Sequence, residues 1–135
     1  MAQTIIHLDT SFLIRAMAAN SAEDRDLREW IAAGAKLGMS CVGWAEFLCG
    51  PLDSRQLALA AAIVGEPEPF VLEDSVHAAE LFNRSGRRRG SFIDCMIAAT
   101  AIRSAGSFAT ANRADFKRLP GLHLAAERRS RGASS

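Results

Sequence analysis

The sequence has no long hydrophobic run, no glycine-rich phosphate loop and very few lysines. No stretch approaches the roughly 20 apolar residues that a membrane-spanning helix requires, and the first residues lack the basic region of a secretory signal peptide. There is no GxGxxG or P-loop motif, and Lys36 and Lys117 are the only lysines. These absences argue against a nucleotide-binding or phosphotransfer domain, and we expect a cytoplasmic protein with no membrane contact.

Cysteine is also scarce, at Cys41, Cys49 and Cys95. The number is odd and no CxxC pair occurs, so neither a disulfide framework nor a cysteine-rich zinc site is expected. The apolar neighbours of each cysteine predict reduced, buried thiols. The three histidines are scattered over separate segments, which predicts packing or surface residues rather than metal ligands.

The net charge of +1 hides an uneven distribution of charged side chains. Residues 1–83 hold 5 basic and 12 acidic residues, whereas residues 84–135 hold 11 basic and 3 acidic ones. A near-neutral total argues against a histone-like or cationic membrane-active protein. The distribution is compatible with an acidic metal pocket beside a basic second half.

Short apolar segments alternate with segments of helical periodicity along the chain. Strands are predicted at residues 4–8, 37–42, 70–72, 107–109 and 122–124. Short apolar strands joined by helices imply a parallel sheet that is covered on both faces. We therefore predict an α/β fold: a three-layer α/β/α sandwich with a short-stranded, mainly parallel sheet of four to five strands.

The 135 residues suit one domain. We predict that this domain spans residues 1–125. The small, polar and Arg-rich remainder, residues 126–135, is predicted to be a C-terminal tail.

Four acidic residues lie at or near the ends of predicted strands: Asp9, Glu46, Asp94 and Asp115. Ligands of open α/β sheets bind at the carboxyl ends of the strands, so these carboxylates could converge on one edge of the sheet. Glu46 and Asp94 also lie within apolar runs, where a charge needs a partner. Clustered hard oxygen ligands select Mg²⁺ or Mn²⁺.

Each of these residues also has a purely structural interpretation. Asp9 could cap the helix that follows it. Asp94 and Asp115 stand at capping-box spacing from Ser91 and Asn112, with Asp in place of the usual Glu. Glu46 could be a solvated helix residue.

The segments that carry the four acidic residues resemble the successive motifs of PIN-domain ribonucleases. They are residues 8–14, 44–50, 93–100 and 110–116. Their order, their spacing and the chain length resemble the VapC-type toxins of bacterial toxin–antitoxin pairs. The resemblance extends from residue 4 to about residue 124.

This resemblance implies a metal-dependent endoribonuclease that hydrolyses RNA phosphodiester bonds with a metal-activated water. It assigns catalysis and the binding of one or two Mg²⁺ or Mn²⁺ ions to Asp9, Glu46, Asp94 and Asp115. It assigns supporting roles to Thr10, Ser11, Thr110 and Asn112. It also implies a homodimer, a cognate VapB-type antitoxin and DNA contact only through that antitoxin. Ala111 departs from the family pattern, in which a polar or basic residue is frequent.

Basic residues of the second half are candidates for contacts with RNA phosphates, because arginine offers a planar fork of donors. We predict such contacts from Arg87, Arg88, Arg89 and Arg113, and consider Arg84, Arg103, Lys117 and Arg118 as further candidates. The alternative for residues 87–89 is a solvated basic turn flanked by glycines.

Two other functions stay open at this point. The chain could be a non-catalytic PIN-like module that acts through an antitoxin as a DNA-bound repressor complex, although all four acidic positions are filled. A nucleotide-binding domain of similar topology ranks last, because the phosphate-binding motifs are absent.

Overall fold

A parallel three-stranded sheet forms the centre of the fold. The computed structural model describes residues 3–88 and 91–126. Its strands are β1 (Ile5–Leu8), β2 (Lys36–Gly38) and β3 (Ser107–Ala109), in the order β2-β1-β3. In this register His7 of β1 lies beside Gly38 and Phe108. The central strand is therefore the one that leads directly to Asp9.

The described part of the chain contains seven helices. They are α1 (Thr10–Ala16), α2 (Ala22–Ala32), α3 (Cys41–Leu48), α4 (Ser54–Val64), α5 (Leu72–Arg84), α6 (Phe92–Arg103) and α7 (Arg113–Phe116). Each parallel connection passes through at least one helix, as a parallel sheet requires.

The sheet separates two hydrophobic cores. Ile6 and Leu8 of β1 pack with side chains of α1 to α4 on one face. Phe108 of β3 packs on the other face with side chains of α5, α6 and α7, including Leu81 and Ile97. A sheet with an apolar core on each face is the three-layer arrangement that the sequence predicts, so the α/β/α sandwich is confirmed.

At the two edges of the sheet, single bridges replace the predicted strands. Glu68 pairs with Ser40, and Leu124 pairs with Phe108, each as a single parallel bridge. Prolines stand on both sides of Glu68, and because proline has no backbone N–H it cannot extend a ladder of hydrogen bonds. Three strands with two single bridges therefore stand where four to five strands are predicted.

The predicted strand at residues 70–72 is wrong. Leu72 begins α5 instead. The side chain of Asp74 explains this start, because its Oδ2 accepts a hydrogen bond from the Val71 N–H (3.1 Å) at the helix N-terminus. A run of three apolar residues does not reveal this bond.

The predicted strand at residues 37–42 ends early, because α3 begins at Cys41. The Ser40 hydroxyl caps α3 by accepting from the Gly43 N–H at 2.9 Å. The prediction of buried thiols is wrong for two of the three cysteines. Cys41 and Cys49 are exposed on α3, and only Cys95 is buried as predicted.

Part of the predicted C-terminal tail, from residue 127 onward, lies outside the described residues. Within residues 3–88 and 91–126, none of the helices is both long enough and apolar enough to cross a membrane. The histidine prediction fits His7, which is buried on β1. Burial lowers the pKa of its imidazole.

Gly106, between α6 and β3, leaves no room for a side chain. A Cβ at this position would lie 2.8 Å from the carbonyl oxygen of Ile5 and 3.1 Å from its Cγ2. We expect Gly106→Ala to lower the free energy of unfolding by about 2 kcal/mol, because β1 must shift to relieve the clash. Urea denaturation measures this change. Gly50→Ala is the control, since its Cβ would meet only the Phe47 carbonyl at 3.4 Å; equal effects would contradict the prediction.

Candidate active site

Asp9 stands at the carboxyl end of β1, where its backbone N–H donates to Ala109 at 2.9 Å. Its Oδ2 accepts hydrogen bonds from Ser11 Oγ (2.7 Å) and Thr110 Oγ1 (2.8 Å). The carboxylate makes no capping hydrogen bond to α1, so the interpretation as an N-cap is wrong for the side chain. Asp9 is instead buried where the loops after β1 and β3 meet.

The two hydroxyls that contact Asp9 are themselves oriented by the loop after β3. The Asn112 N–H donates to Thr110 Oγ1 at 2.9 Å, and the Ala111 N–H donates to Ser11 Oγ at 3.3 Å. Each hydroxyl therefore accepts from the backbone and donates its proton to Asp9. Ala111 contributes through its backbone, so the departure from the family pattern at this side chain leaves the support of Asp9 intact.

Asp94 lies in the first turn of α6 and is partly buried. Burial raises the pKa of its carboxyl to about 6, with further increases from the charges of Asp9, Asp115 and Glu46. The capping-box interpretation is wrong here, because the Ser91 hydroxyl donates to the Arg88 carbonyl instead. The negative charges of the other three carboxylates thus act on Asp94 across one shared region.

Glu46 and Asp115 lie at the more open side of this region. Glu46 is exposed on α3, and Asp115 is partly buried on α7. The Asn112 side-chain amide donates to Asp115 Oδ2 at 2.8 Å. The guanidinium of Arg88 lies 3.9 Å from Asp115 Oδ1. Asn112 thus supports Asp115, whereas Ser11 and Thr110 support Asp9.

The donor chemistry of this cluster fits a hard divalent cation. All four groups are carboxylates, and the charges of Asp9, Asp115 and Glu46 add to burial in raising the pKa of Asp94. In the part of the chain that the structure describes, no three His, Cys, Asp or Glu side chains close around one metal position. Mg²⁺ tolerates such an open arrangement, since it keeps several waters and takes only one or two carboxylates directly.

A family model for the PIN domain matches residues 6–122. The chain belongs to the PIN-domain family. The matched span includes all four acidic residues and the four side chains predicted to support them. A comparison with curated protein sequences found no significant match.

Solved structures similar to this PIN domain include VapBC complexes. The VapBC2 complex of Rickettsia felis, bound to a DNA fragment from its promoter, has a TM-score of 0.73 and 22% identity, covering 90% of this chain and 98% of that one. The DNA-bound VapBC complex of Salmonella typhimurium has a TM-score of 0.71 and 20% identity, with 92% and 98% covered. VapC20 of Mycobacterium tuberculosis, a toxin that cleaves the sarcin–ricin loop, has a TM-score of 0.56 and 21% identity, with 78% and 86% covered. The resemblance to VapC-type toxins is thereby confirmed for the fold.

The predicted RNA-contacting arginines of the PIN domain make different contacts in the structure. Arg88 contacts Asp115. Nη1 of Arg87 donates to Asn83 Oδ1 at 2.6 Å, and its guanidinium lies 5.5 Å from the Phe82 ring centre. The prediction for Arg89 lies outside the described residues. In a separate contact, Nη1 of Arg113 donates to the Ala125 carbonyl at 2.8 Å.

Two other arginines have roles that the sequence does not reveal. Arg103 is not available for RNA phosphates, because it pairs with Asp74 and Glu68 near the end of α6. The charge of Arg118 offsets a small part of the rise in the pKa of Asp94, and its Nη1 donates to the Ser85 carbonyl at 3.1 Å. The only sequence signal for Arg118 is its position three residues after Asp115.

Proposed function

We propose that this PIN domain is a metal-dependent endoribonuclease and the toxin of a toxin–antitoxin pair. The observation that carries the proposal is the carboxylate cluster itself. Asp9 is fixed by two hydroxyls, and the charges of Asp9, Asp115 and Glu46 add to burial in raising the pKa of Asp94 to about 6. Keeping four carboxylates together is electrostatically unfavourable unless a cation neutralises them.

In the proposed site, Asp9, Glu46, Asp94 and Asp115 hold one or two Mg²⁺ or Mn²⁺ ions. Such ions supply an activated water nucleophile and polarise the phosphodiester. The chain's own residues orient the ligands: Ser11 and Thr110 hold Asp9, and Asn112 holds Asp115.

RNA is the proposed substrate. Members of the PIN-domain family in VapC toxins are generally nucleases, and VapC20, which is similar in fold, cleaves the sarcin–ricin loop. Arg88 lies at the rim of the acidic cluster, where its guanidinium could bind the phosphate next to the scissile bond. We assign the same kind of contact to Arg87, Arg89 and Arg113.

The exposed apolar surface supports the proposed protein partners. On α5 and α6, Leu72 is 83% exposed and Val76, Phe92 and Ile93 are also exposed. Apolar patches of this kind commonly mark interaction sites. We assign them to a homodimer contact and to a cognate VapB-type antitoxin. The VapBC complexes of similar fold that are bound to DNA support DNA contact through the antitoxin.

Removing divalent metal tests the proposed activity. We expect the purified protein to cut RNA with Mg²⁺ or Mn²⁺ and to lose cleavage when EDTA is in excess, because the ion would lower the pKa of the attacking water and polarise the phosphodiester. The products should carry 5′-phosphate and 3′-hydroxyl ends, which adaptor ligation and end mapping detect. Cleavage that persists in EDTA would contradict the proposal. A protein that binds no Mn²⁺ by calorimetry would favour a non-catalytic module that represses transcription with its antitoxin.

A further inference from the structure

The hydroxyl of Thr10 contacts none of the four carboxylates. Thr10 is the first residue of α1 and is buried directly after Asp9. Its Oγ1 donates a buried hydrogen bond of 2.9 Å to the carbonyl oxygen of Gly43, 33 residues further along the chain. This bond joins the start of α1 to the first turn of α3.

Gly43 is held from its other side as well. Its N–H donates to the buried Ser40 hydroxyl at 2.9 Å. The glycine also permits a close approach of its surroundings, since a Cβ would lie 3.4 Å from Met39 Cε and 3.5 Å from Thr10 Oγ1. Ser40, Gly43 and Thr10 therefore form a chain of contacts, here called the α1–α3 latch.

The two ends of the latch lie next to two of the acidic residues. Asp9 immediately precedes Thr10, and Glu46 follows Gly43 by three residues, about one helical turn. Glu46 lies on the exposed side of α3, so the position of its carboxylate follows the position of the helix. The latch thereby links the helix that carries Glu46 to the strand end that carries Asp9.

We propose that Thr10 is a positioning residue, and that its bond to Gly43 sets the separation of Asp9 and Glu46 for metal binding. This inference rests on the proposed function. Like charges at Asp9 and Glu46 push α3 away from β1, and the latch resists that movement. Without it, the two carboxylates relax apart, and a cation must draw them together again when it binds.

The Mn²⁺ affinity of the RNA-free protein tests the proposal. Thr10→Val keeps the shape of the side chain and removes the donor, and we expect Mn²⁺ binding by calorimetry to weaken about five- to tenfold. Thr10→Ser keeps the hydroxyl and should restore the wild-type affinity. Thr100→Val is the matched control, because Thr100 is also buried and its hydroxyl bonds Asp74 at 3.1 Å, away from the cluster. It should lower the melting temperature and leave Mn²⁺ affinity unchanged.

Amide hydrogen exchange tests the latch independently of metal. We expect faster exchange of the amides of residues 44–47 in Thr10→Val than in Thr100→Val, because the first turn of α3 loses its anchor. Unchanged exchange in Thr10→Val would overturn the proposal, and so would faster exchange with wild-type Mn²⁺ affinity. A wild-type protein that binds no Mn²⁺ would contradict the proposed function, and with it the role of Thr10 in metal binding. The exchange result would then test only whether Thr10 anchors α3.

Discussion

Replacing Asp94 by asparagine is expected to abolish metal-dependent RNA cleavage while making the metal-free fold more stable. The loss of activity follows from the proposed role of Asp94 as a metal ligand. Stabilisation of transition-state charge by a bound ion is worth several kcal/mol, so we expect cleavage to fall by about 100-fold or more. RNA cleavage in Mn²⁺, followed on a gel, measures this loss.

The gain in stability follows from the raised pKa of Asp94. Burial, together with Asp9, Asp115 and Glu46, holds the pKa at about 6 in the folded chain, whereas the unfolded value is about 4. Protonation of Asp94 therefore stabilises the folded state relative to the unfolded state. Its stabilising contribution is present below about pH 4 and is lost as the pH rises through 6.

Denaturation at a series of pH values in EDTA measures this effect. The amide introduced by Asp94→Asn does not titrate, so the variant's excess in free energy of unfolding over the wild type should grow from pH 4 to pH 7. We expect this excess to reach only about 1–2 kcal/mol, because solvent screens the partly exposed carboxylate of the wild type. Asp53→Asn is the matched control, since Asp53 caps α4 and asparagine caps equally well. An advantage of Asp94→Asn that does not depend on pH would contradict the prediction, and so would full activity of this variant.

Arg103→Met should cause the second large change, a loss of about 3 kcal/mol in the free energy of unfolding. Nε of Arg103 donates to Asp74 Oδ1 at 2.9 Å, and Nη2 donates to Asp74 Oδ2 at 3.1 Å. Asp74 is almost completely buried. Removing the arginine leaves a buried carboxylate without its cation, which typically costs several kcal/mol. Urea denaturation at pH 7 measures the loss.

The pH dependence of this effect has a defined direction. Burial alone raises the pKa of Asp74, but hydrogen bonds from Arg103, Val71 and Thr100 outweigh burial and hold the pKa below its usual value. The pair therefore stabilises the fold above about pH 4, and this contribution is lost as the pH falls through the lowered pKa. The difference between Arg103→Met and the wild type should shrink in acid.

Two further variants separate the effect of the ion pair from general effects on stability. Adding Asp74→Asn to Arg103→Met should recover part of the loss, because the amide is neutral and still accepts from Val71 and Thr100. Arg28→Met removes a partner of Asp24 at an arginine that is 77% exposed, and it should change stability by less than about 0.5 kcal/mol. Equal losses at Arg28 and Arg103 would refute the prediction. Mn²⁺ affinity should stay unchanged in Arg103→Met, since Arg103 follows Asp94 by nine residues of helix, about 14 Å.

The sequence by itself determined the alternation of strands and helices, and with it the sandwich. Periodicity is a local property, so β1, α2, α4 and α6 can be predicted from their own residues. The placement of Asp9 at a strand end is equally local, because the carboxylate directly follows the last apolar residue of the strand, Leu8. Hydrogen bonds between a side chain and the end of a helix are harder to predict from the sequence. Because Ser40 and Asp74 form such bonds, α3 and α5 begin within the predicted strands at residues 37–42 and 70–72.

Only the tertiary structure decided which polar groups meet. Thr110 and Asp9 are 101 residues apart and hydrogen-bonded, and no pattern within either segment encodes that contact. The same holds for Thr10, whose hydroxyl binds Gly43 rather than a carboxylate, and for Arg103, which pairs with Asp74 instead of facing RNA. The physical reason is that periodicity fixes which face of an element is buried, whereas the partner of a side chain depends on how those faces pack.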